Sequence, residues 1–299
     1  MMPEAAGAAA EPAGILPVDK PEGPTSHDVV DQARRALHTR RIGHTGTLDP
    51  FASGLLLLCI GSATRLAEYL VGLDKTYRAT VRLGATTDTD DRTGTVIAAS
   101  ERWRTLTAAQ VEEAVRGLQG PQLQVPPAYS AKKVKGERMY NRARRGEAVE
   151  LAPAPVVVHR IEVLALDLPN AQLEIDCSSG TYIRALARDL GERLGVGAAL
   201  WDLRRTRIGP HDVGIAIPAE RLDDPDAVRA AWIAPADALA HLPRVPVNPG
   251  QAREIGHGGP VTAPAALPED VPVVVVDGGE VIAIAEVVCG MLRPRKVFR

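Results

Sequence analysis

A short unbroken apolar run, from Leu55 to Ile60, constrains the fold more than any other stretch of this chain. Gly54 and Gly61 bound the run, which has the length and composition of a strand that is buried on both faces. The run therefore predicts a core strand rather than a surface element.

A loop leads into this strand. Gly43, Gly46 and Pro50 interrupt regular structure over residues 43–50, because glycine accepts positive φ and proline fixes φ and lacks an N–H. Asp49 lies in this loop, with basic residues shortly before it. Asp next to Pro is by itself typical of an ordinary turn, so a catalytic role for Asp49 depends on the longer pattern.

Length and composition fit a soluble globular protein. The 299 residues allow one large core with a smaller domain, or two ordinary domains. No apolar run approaches the roughly 18 residues that a membrane helix needs, so we expect no membrane association. Residues 1–13 are small and apolar but lack the basic start of a signal peptide, and we predict a disordered tail.

The three cysteines, Cys59, Cys177 and Cys289, are far apart and lack the spacing of a zinc site. We therefore expect buried, unreactive thiols in a reducing cytoplasm.

Basic residues are concentrated locally, although the net charge is −2. Between Lys132 and Arg145, seven basic residues accompany the single acid Glu137. One such run is usually a solvated charged face. Together with three smaller basic groups and the Asp49 loop, however, it favours a nucleic-acid partner.

Residues 75–84 alternate in the period of a half-buried strand, which turns Tyr77 inward together with Val81. The polar stretch that follows, Thr86 to Gly94, contains Asp88, Asp90 and Asp91 and predicts a hydrophilic hairpin loop. A divalent-ion site is the rival interpretation, but the spacing does not fit an EF-hand. We favour a loop whose aspartate pairs with an active-site arginine.

A second organised stretch is CSSGTYIRALARDLG. Residues 178–181 are predicted to cap a helix with Arg184 in its first turn. A cation there meets the positive end of the helix dipole, which is unfavourable unless an anion offsets it. Arg184 is therefore a candidate partner for Asp49 or a phosphate, and an exposed arginine is the alternative.

The remaining elements are assigned from periodicity and turn signals. Strands are predicted at residues 14–20, 156–166, 173–177, 197–209, 271–276 and 281–288, and helices at the stretch after Thr25, at 64–71 and at 106–118. The proline-containing basic stretch 122–151 predicts an insertion that projects from the fold. Residues 243–249 predict a domain edge, followed by a compact accessory barrel.

Several separate motifs, in one order between Gly14 and Leu239, resemble the bacterial tRNA pseudouridine-55 synthases, the TruB family. The motifs are DKPEGPTSHDVV, RIGHTGTLDPFASGLLLLCIGSATR, DKTYRATVRLGATTDTDD, PPAYSAKKVKGERMYNRARRGE, CSSGTYIRALARDLG and LRRTRIG. The C-terminal segment resembles the small PUA RNA-binding domain.

The resemblance implies an α+β fold built on a mixed, mainly antiparallel sheet with helices. It implies a catalytic domain over residues 14–242, with a basic thumb insertion at 122–151, and a PUA-like β domain over 243–299. It also implies a monomer that acts on the T-arm of tRNA without a cofactor, a metal or a guide RNA.

The implied reaction isomerises the uridine at tRNA position 55 to pseudouridine, after the base has been flipped out of the T-loop. The C1′–N1 bond breaks, the base turns, and C5 joins the sugar. Asp49 is the implied nucleophile, and a carboxylate suits the positive charge that develops on the sugar. Attack at C1′, attack at C6 and proton abstraction all remain open.

The resemblance also implies roles for other residues. Tyr77 stacks on the target base, and Arg184 pairs with the catalytic aspartate. His44 lies near the flipped nucleotides, where we favour a shaping and stacking role over an ordinary loop histidine or a general acid. Asp91 joins the active-site network, with adjacent Asp90 as the other choice.

Leu203 lines the implied pocket, and Lys20 belongs to a lysine–proline motif near it. The thumb, which closes on the T-arm, contributes Lys132, Lys133, Lys135 and Arg138. Two rivals remain: an RNA-binding folding aid that needs no catalysis, and a guide-RNA-dependent synthase. The aspartate, tyrosine and arginine argue against the first, and the long basic insertion argues against the second.

Overall fold

The computed structural model describes residues 13–127, 152–269 and 271–298, together with the backbone of the pairs 133–134 and 137–138. Several sequence predictions lie outside these residues. They are the tail before Ala13, Lys132 and Lys135, and the side chains of Lys133 and Arg138.

The strands, in chain order, are β1 Gly14–Lys20, β2 Ile42–His44, β3 Ser53–Ile60, β4 Lys75–Leu83, β5 Ala85–Thr87, β6 Val96–Ala99, β7 Gly120–Gln124, β8 Lys133–Val134, β9 Glu137–Arg138, β10 Ala154–Asp167, β11 Asn170–Cys177, β12 Ala198–Ile208, β13 His211–Asp212, β14 Ile217–Pro218, β15 Arg244–Pro246, β16 Val261–Thr262, β17 Val273–Asp277, β18 Glu280–Val288 and β19 Met291–Val297. The α-helices are α1 Ser26–Ala36, α2 Ala67–Val71, α3 Ala108–Arg116, α4 Ile183–Arg193, α5 Pro225–Ala231, α6 Pro235–Ala238 and α7 Pro249–Gly256. Within the described ranges, no helix has the length and apolar character needed to cross a membrane.

A ten-stranded sheet forms the centre of the molecule. Its main path runs β14-β1-β3-β12-β4-β11-β10-β7, with β2 beside β3 and β13 beside β12. Most neighbours are antiparallel, whereas β1 with β14 and β3 with β12 are parallel. The predicted α+β class with a mixed, mainly antiparallel sheet is confirmed.

Strand β3 is buried on both faces, as the apolar run predicts. On one face, Leu56 and Leu58 pack with Val29 of α1. On the other face, Leu55 and Leu57 pack in one cluster with residues of α2 and of the C-terminal sheet. The loop before β3 is shorter than predicted, because β2 pairs with β3 through His44.

Strand β4 lies between β12 and β11, and its alternation is confirmed. Tyr77, Val81 and Leu83 are buried on the predicted face. Tyr77 lies opposite Arg205 of β12 and Ile175 of β11. The alternation of residues 75–84 alone therefore predicted correctly that Tyr77 faces the interior.

Two local predictions are wrong. The first is the cap of α4, because the N-cap is Tyr182 and its side chain makes no capping hydrogen bond. The Ser178 hydroxyl instead accepts from the Val157 N–H. The second concerns the insertion: residues up to Gln124 belong to β7, which pairs with β10, so the insertion begins no earlier than Val125.

The C-terminal strands form a separate five-stranded sheet in the order β15-β17-β18-β19-β16. This sheet has its own core, which includes Val273, Ala285 and Leu292. The small C-terminal β domain is confirmed, while the division after residue 242 stays a prediction. Cys59 and Cys177 are buried as expected, but the expectation is wrong for Cys289, which is exposed.

We predict that Gly54→Ala destabilises the protein by about 3 kcal/mol or more. Gly54 has φ +104°, and an added Cβ would overlap the backbone of Arg205, where β3 meets β12. Gly72→Ala is the matched control, since Gly72 has an α-helical φ and open space around it. Denaturant unfolding measures both variants. Equal free energies of unfolding for the two variants would contradict this prediction.

Candidate active site

A cavity of about 400 Å³ opens where the loop between β2 and β3 meets the start of β4 and the segment that precedes α4. The lining residues are Thr45, Gly46, Thr47, Leu48, Asp49, Val71, Lys75, Tyr77, Ser179, Gly180, Thr181, Tyr182, Ile183, Arg184, Leu203 and Arg205. The wall of this cavity therefore includes four residues that were singled out in the sequence: Asp49, Tyr77, Arg184 and Leu203.

Hydrogen bonds from α1 and the preceding turn hold the loop that carries Asp49. The Ser26 hydroxyl accepts from the Leu48 N–H at 2.8 Å and donates to the Leu48 carbonyl at 3.1 Å. The Gly23 N–H donates to the Pro50 carbonyl at 2.8 Å. Asp49 is therefore fixed from both sides by neighbouring backbone.

Lys20 lies beneath this loop with no exposed surface. Its Nζ donates to the carbonyls of Pro21 and Pro24 at 2.8 Å and lies 3.5 Å from that of Pro50. Burial lowers the pKa of Lys20 to about 8, and the charge of Asp49 opposes the fall. Lys20 therefore joins the turn after β1 to the residue that follows Asp49, and it does not line the cavity.

Arg184 connects two carboxylates. Its Nε lies 3.0 Å from Oδ2 of Asp49, and its Nη1 lies 3.4 Å from Oδ2 of Asp91 and 3.0 Å from the Thr89 carbonyl. The side chain of Arg184 is 6% exposed. The two anions offset the unfavourable position of a cation at the start of α4.

The adjacent aspartates have different partners. Asp91 pairs with Arg184 and accepts from Thr93 through N–H at 2.9 Å and hydroxyl at 2.6 Å. Asp90 pairs with Arg188 at 3.2 Å instead. Of the two, Asp91 is the one in direct contact with Arg184.

The acidic loop does not gather its carboxylates around a common point. Asp88 accepts from the Thr95 N–H, while Asp90 and Asp91 face different arginines. Among the residues that the structure describes, no group of three or more His, Cys, Asp or Glu side chains could hold a metal ion.

Asp49 is in an environment that opposes ionisation. Although its side chain is 36% exposed, burial by the cavity walls raises the pKa of Asp49. Arg184 and Lys20 oppose this rise, while the like charge of Asp91 adds to it. The ionised carboxylate therefore depends on its arginine partner.

Tyr77 and Leu203 belong to the apolar part of the wall, at 7% and 6% exposure. Burial raises the pKa of Tyr77, so the phenol is neutral at physiological pH. A buried ring beside an aliphatic side chain offers a surface on which a planar group can stack.

Two charged residues of the cavity were not predicted from the sequence, Arg205 and Lys75. Arg205 is 1% exposed, and it donates from Nε to the Leu55 carbonyl at 2.7 Å and from Nη2 to the Gly46 carbonyl at 3.1 Å. Lys75 donates to the carbonyl of Val71 at 2.9 Å. The signal was available, because each lies two residues from a predicted inward side chain on the same strand face.

His44 lies at the end of β2 and is not among the residues that line the cavity. Its Nδ1 accepts from the Gly46 N–H at 3.2 Å. The imidazole ring therefore contacts the loop that carries Asp49 through the backbone N–H of Gly46.

Two family models match consecutive parts of the chain. The TruB family pseudouridylate synthase (N terminal domain) matches residues 34–183. The tRNA pseudouridylate synthase B C-terminal domain matches residues 184–239.

Curated relatives cover most of the chain. A tRNA pseudouridine synthase B of Syntrophobacter fumaroxidans is 47% identical over 251 residues, which are 81% of this chain and 79% of the relative. A protein of the same name from Arthrobacter sp. (strain FB24) is 44% identical over 298 residues, covering 95% of this chain and 96% of the relative.

Solved structures share the fold. A chain of a Cbf5–Nop10–Gar1 complex has a TM-score of 0.76 and 26% identity, over 96% of this chain and 85% of that chain. A chain of the archaeal box H/ACA sRNP Nop10–Cbf5 complex has a TM-score of 0.74 and 24% identity, over 96% and 86%. The second likeness concerns the fold alone.

We predict that Arg184→Gln raises the pKa of Asp49, because the cation that favours the ionised carboxylate is lost. Carbon-13 NMR of the Asp49 carboxyl carbon measures the titration. Arg184→Lys keeps a positive charge and should raise the pKa less. Arg204→Gln, which breaks the ion pair with Asp19 instead, is the control and should leave the curve unchanged. An unchanged Asp49 curve in Arg184→Gln would refute the dependence.

Proposed function

This chain belongs to the TruB family of tRNA pseudouridine synthases, and from that premise we propose that it isomerises the T-loop uridine at tRNA position 55, with Asp49 as the nucleophile. The observation that carries this proposal is the pairing of the Asp49 carboxylate with Nε of Arg184 at 3.0 Å, on the wall of a cavity that also presents Tyr77.

The chemistry needs a single ionised carboxylate. Cleavage of the C1′–N1 bond builds positive charge on the ribose, which a carboxylate stabilises or attacks, as in glycoside hydrolysis. No water has to be activated, because C5 of the same base replaces N1 at the sugar; C5 then loses its proton to solvent and N1 gains one, so the product is an isomer of uridine. Attack at C1′, attack at C6 and removal of a proton all use the charged form of Asp49, which Arg184 favours.

The apolar wall suits a flipped base. Extraction of a stacked uridine costs a few kcal/mol. Stacking on an aromatic ring returns about 1–3 kcal/mol per base, so Tyr77, with Leu203 beside it, can offset much of that cost. The neutral phenol adds no charge where the base enters.

The remaining site residues support the catalytic pair. We propose that Asp91 orients Arg184, since it occupies Nη1 while Nε faces Asp49. Lys20 fixes the loop through backbone carbonyls. His44 shapes the same loop near the flipped nucleotides, which its contact with the Gly46 N–H supports.

We further propose that the enzyme acts as a monomer and needs no guide RNA. Relatives named tRNA pseudouridine synthase B match nearly the whole chain, at 95% of this chain and 96% of the relative in one case. The H/ACA complexes share the fold at lower identity, 24–26%. A purified protein that modifies a tRNA transcript alone would establish guide independence.

We expect the purified protein to form pseudouridine at position 55 of an unmodified tRNA transcript. Asp49→Asn should lower the single-turnover rate by about a thousandfold or more, the scale of removing a key charged group from an active site. Asp31→Asn, on the surface of α1, is the matched control. Mass spectrometry of RNA fragments locates the product.

Each result of this experiment has a defined meaning. Product at another uridine would refute the assignment of position 55, and full activity of Asp49→Asn would refute the role of Asp49. Filter binding with the same variant tests the folding-aid alternative, which predicts that tRNA binding survives without catalysis.

The basic run contributes to tRNA binding in this proposal. Replacing Lys132, Lys133 and Lys135 by Ala should reduce the slope of log affinity against log salt by about two to three, since each phosphate contact contributes about 0.7–0.9. Exposed Arg229→Ala on α5 is the control. An unchanged slope in the triple variant would mean that these lysines face solvent in the complex.

A further inference from the structure

A second aspartate–arginine pair lies next to the one in the cavity. Asp90 and Arg188 are 3.2 Å apart, and their side chains are 12% and 20% exposed. Arg188 follows Arg184 by one turn of α4, so both arginines project from the same side of the helix. Neither Asp90 nor Arg188 lines the cavity, and the pair has no part in the proposed chemistry.

The backbone at Asp90 allows the two pairs to coexist. Consecutive residues of an extended chain point in opposite directions. Asp90 has φ +60°, in the left-handed region, and this turn brings the carboxylates of Asp90 and Asp91 to the same helix. Aspartate is one of the few non-glycine residues that adopt this conformation, and Arg188 pairs with its carboxylate there.

Arg188 also reaches the end of an edge strand. Its Nη2 donates to the carbonyl of Val125 at 3.0 Å, directly after β7, and its Nε donates to Asp189 at 3.0 Å. A guanidinium presents several donors in a rigid fork and can serve two partners at once, whereas a lysine ammonium at the end of a flexible stem cannot reproduce that geometry. Arg188 thus joins the loop of Asp90 and Asp91 to β7.

The same strand end holds the start of α4. Gln124 is 1% exposed, and its amide accepts from the Tyr182 N–H at 2.8 Å and donates to the Tyr182 carbonyl at 3.1 Å. Tyr182 is the N-cap of α4 and lines the cavity. The end of β7 is therefore bound to both elements that place Arg184: the helix start and the acidic loop.

We propose that Arg188 is a positioning residue of the catalytic site. It holds Asp90 against the end of β7, this fixes Asp91, and Asp91 orients the guanidinium of Arg184 towards Asp49. This inference rests on the proposed function of Asp49. Because Arg188 is not among the cavity residues, its effect belongs to the chemical step and not to tRNA affinity.

The test is Arg188→Lys in the full-length protein with a tRNA transcript. We expect the single-turnover rate to fall about tenfold, which corresponds to ~1.4 kcal/mol, while the dissociation constant for tRNA changes less than about twofold. Arg193→Lys, an exposed arginine on the same helix, is the matched control and should leave both quantities unchanged. A change confined to affinity would overturn the proposal.

A double-mutant cycle with Asp91→Asn tests the route. If Arg188 acts through Asp91, Arg188→Lys should cost less than about twofold when Asp91 is already Asn, because coupled residues are non-additive. A tenfold cost in both backgrounds would show that Arg188 acts independently and would overturn the proposal. A loss that came from general instability would appear in both backgrounds as well.

Gln124→Met provides a second variant if Arg188→Lys does not fold. It preserves volume at the end of β7, loses both contacts with Tyr182, and should show the same loss of rate at unchanged affinity. Failure of the proposed function is distinguishable from failure of this inference. The former appears as a wild-type protein without product at position 55, and the latter as an active wild type in which Arg188→Lys behaves like Arg193→Lys.

Discussion

The shared guanidinium of Arg184 is the interaction on which the site depends. One nearly buried cation faces Asp49 through Nε and Asp91 through Nη1. Each carboxylate alone would be costly in a desolvated site, and their mutual repulsion would raise the cost further. A single arginine between them stabilises both and opposes the rise in the pKa of Asp49 that burial causes.

The rest of the local structure can be understood as support for this arrangement. The start of α4 supplies the arginine, a left-handed turn supplies Asp91, and the strand β3 carries the chain of Asp49 into the core. Buried cations hold the backbone around them: Lys20 beneath the loop and Arg205 across it. Of the four buried lysines and arginines among the described residues, Lys20, Lys75 and Arg205 thus donate to backbone carbonyls, whereas Arg184 pairs with two carboxylates.

The features that follow from hydrophobic periodicity or from turn residues could be predicted from the sequence. Alternation predicted that Tyr77 faces inward, and the apolar run predicted strand β3. The position of Arg184 at a helix start predicted that it pairs with an anion. Prediction failed where a contact joins distant parts of the chain. The partners of Gln124 and Arg188 lie 58 and 98 residues away, and no local pattern encodes them. The mistaken helix cap has the same origin, since the hydroxyl expected to cap α4 is used by a neighbouring strand.

The packing of β3 also determines how the two domains relate as folding units. One face of this strand is covered by the cluster that includes Val274, Val276 and Ile284 of the C-terminal sheet. Residues outside the C-terminal sheet, such as Leu66 and Leu70, belong to the same cluster, so this sheet adds to a cover that α2 and the segment before it already supply. The C-terminal sheet therefore has a core of its own and also contributes to a cluster beside β3, so we expect loss of either domain to lower the stability of the other.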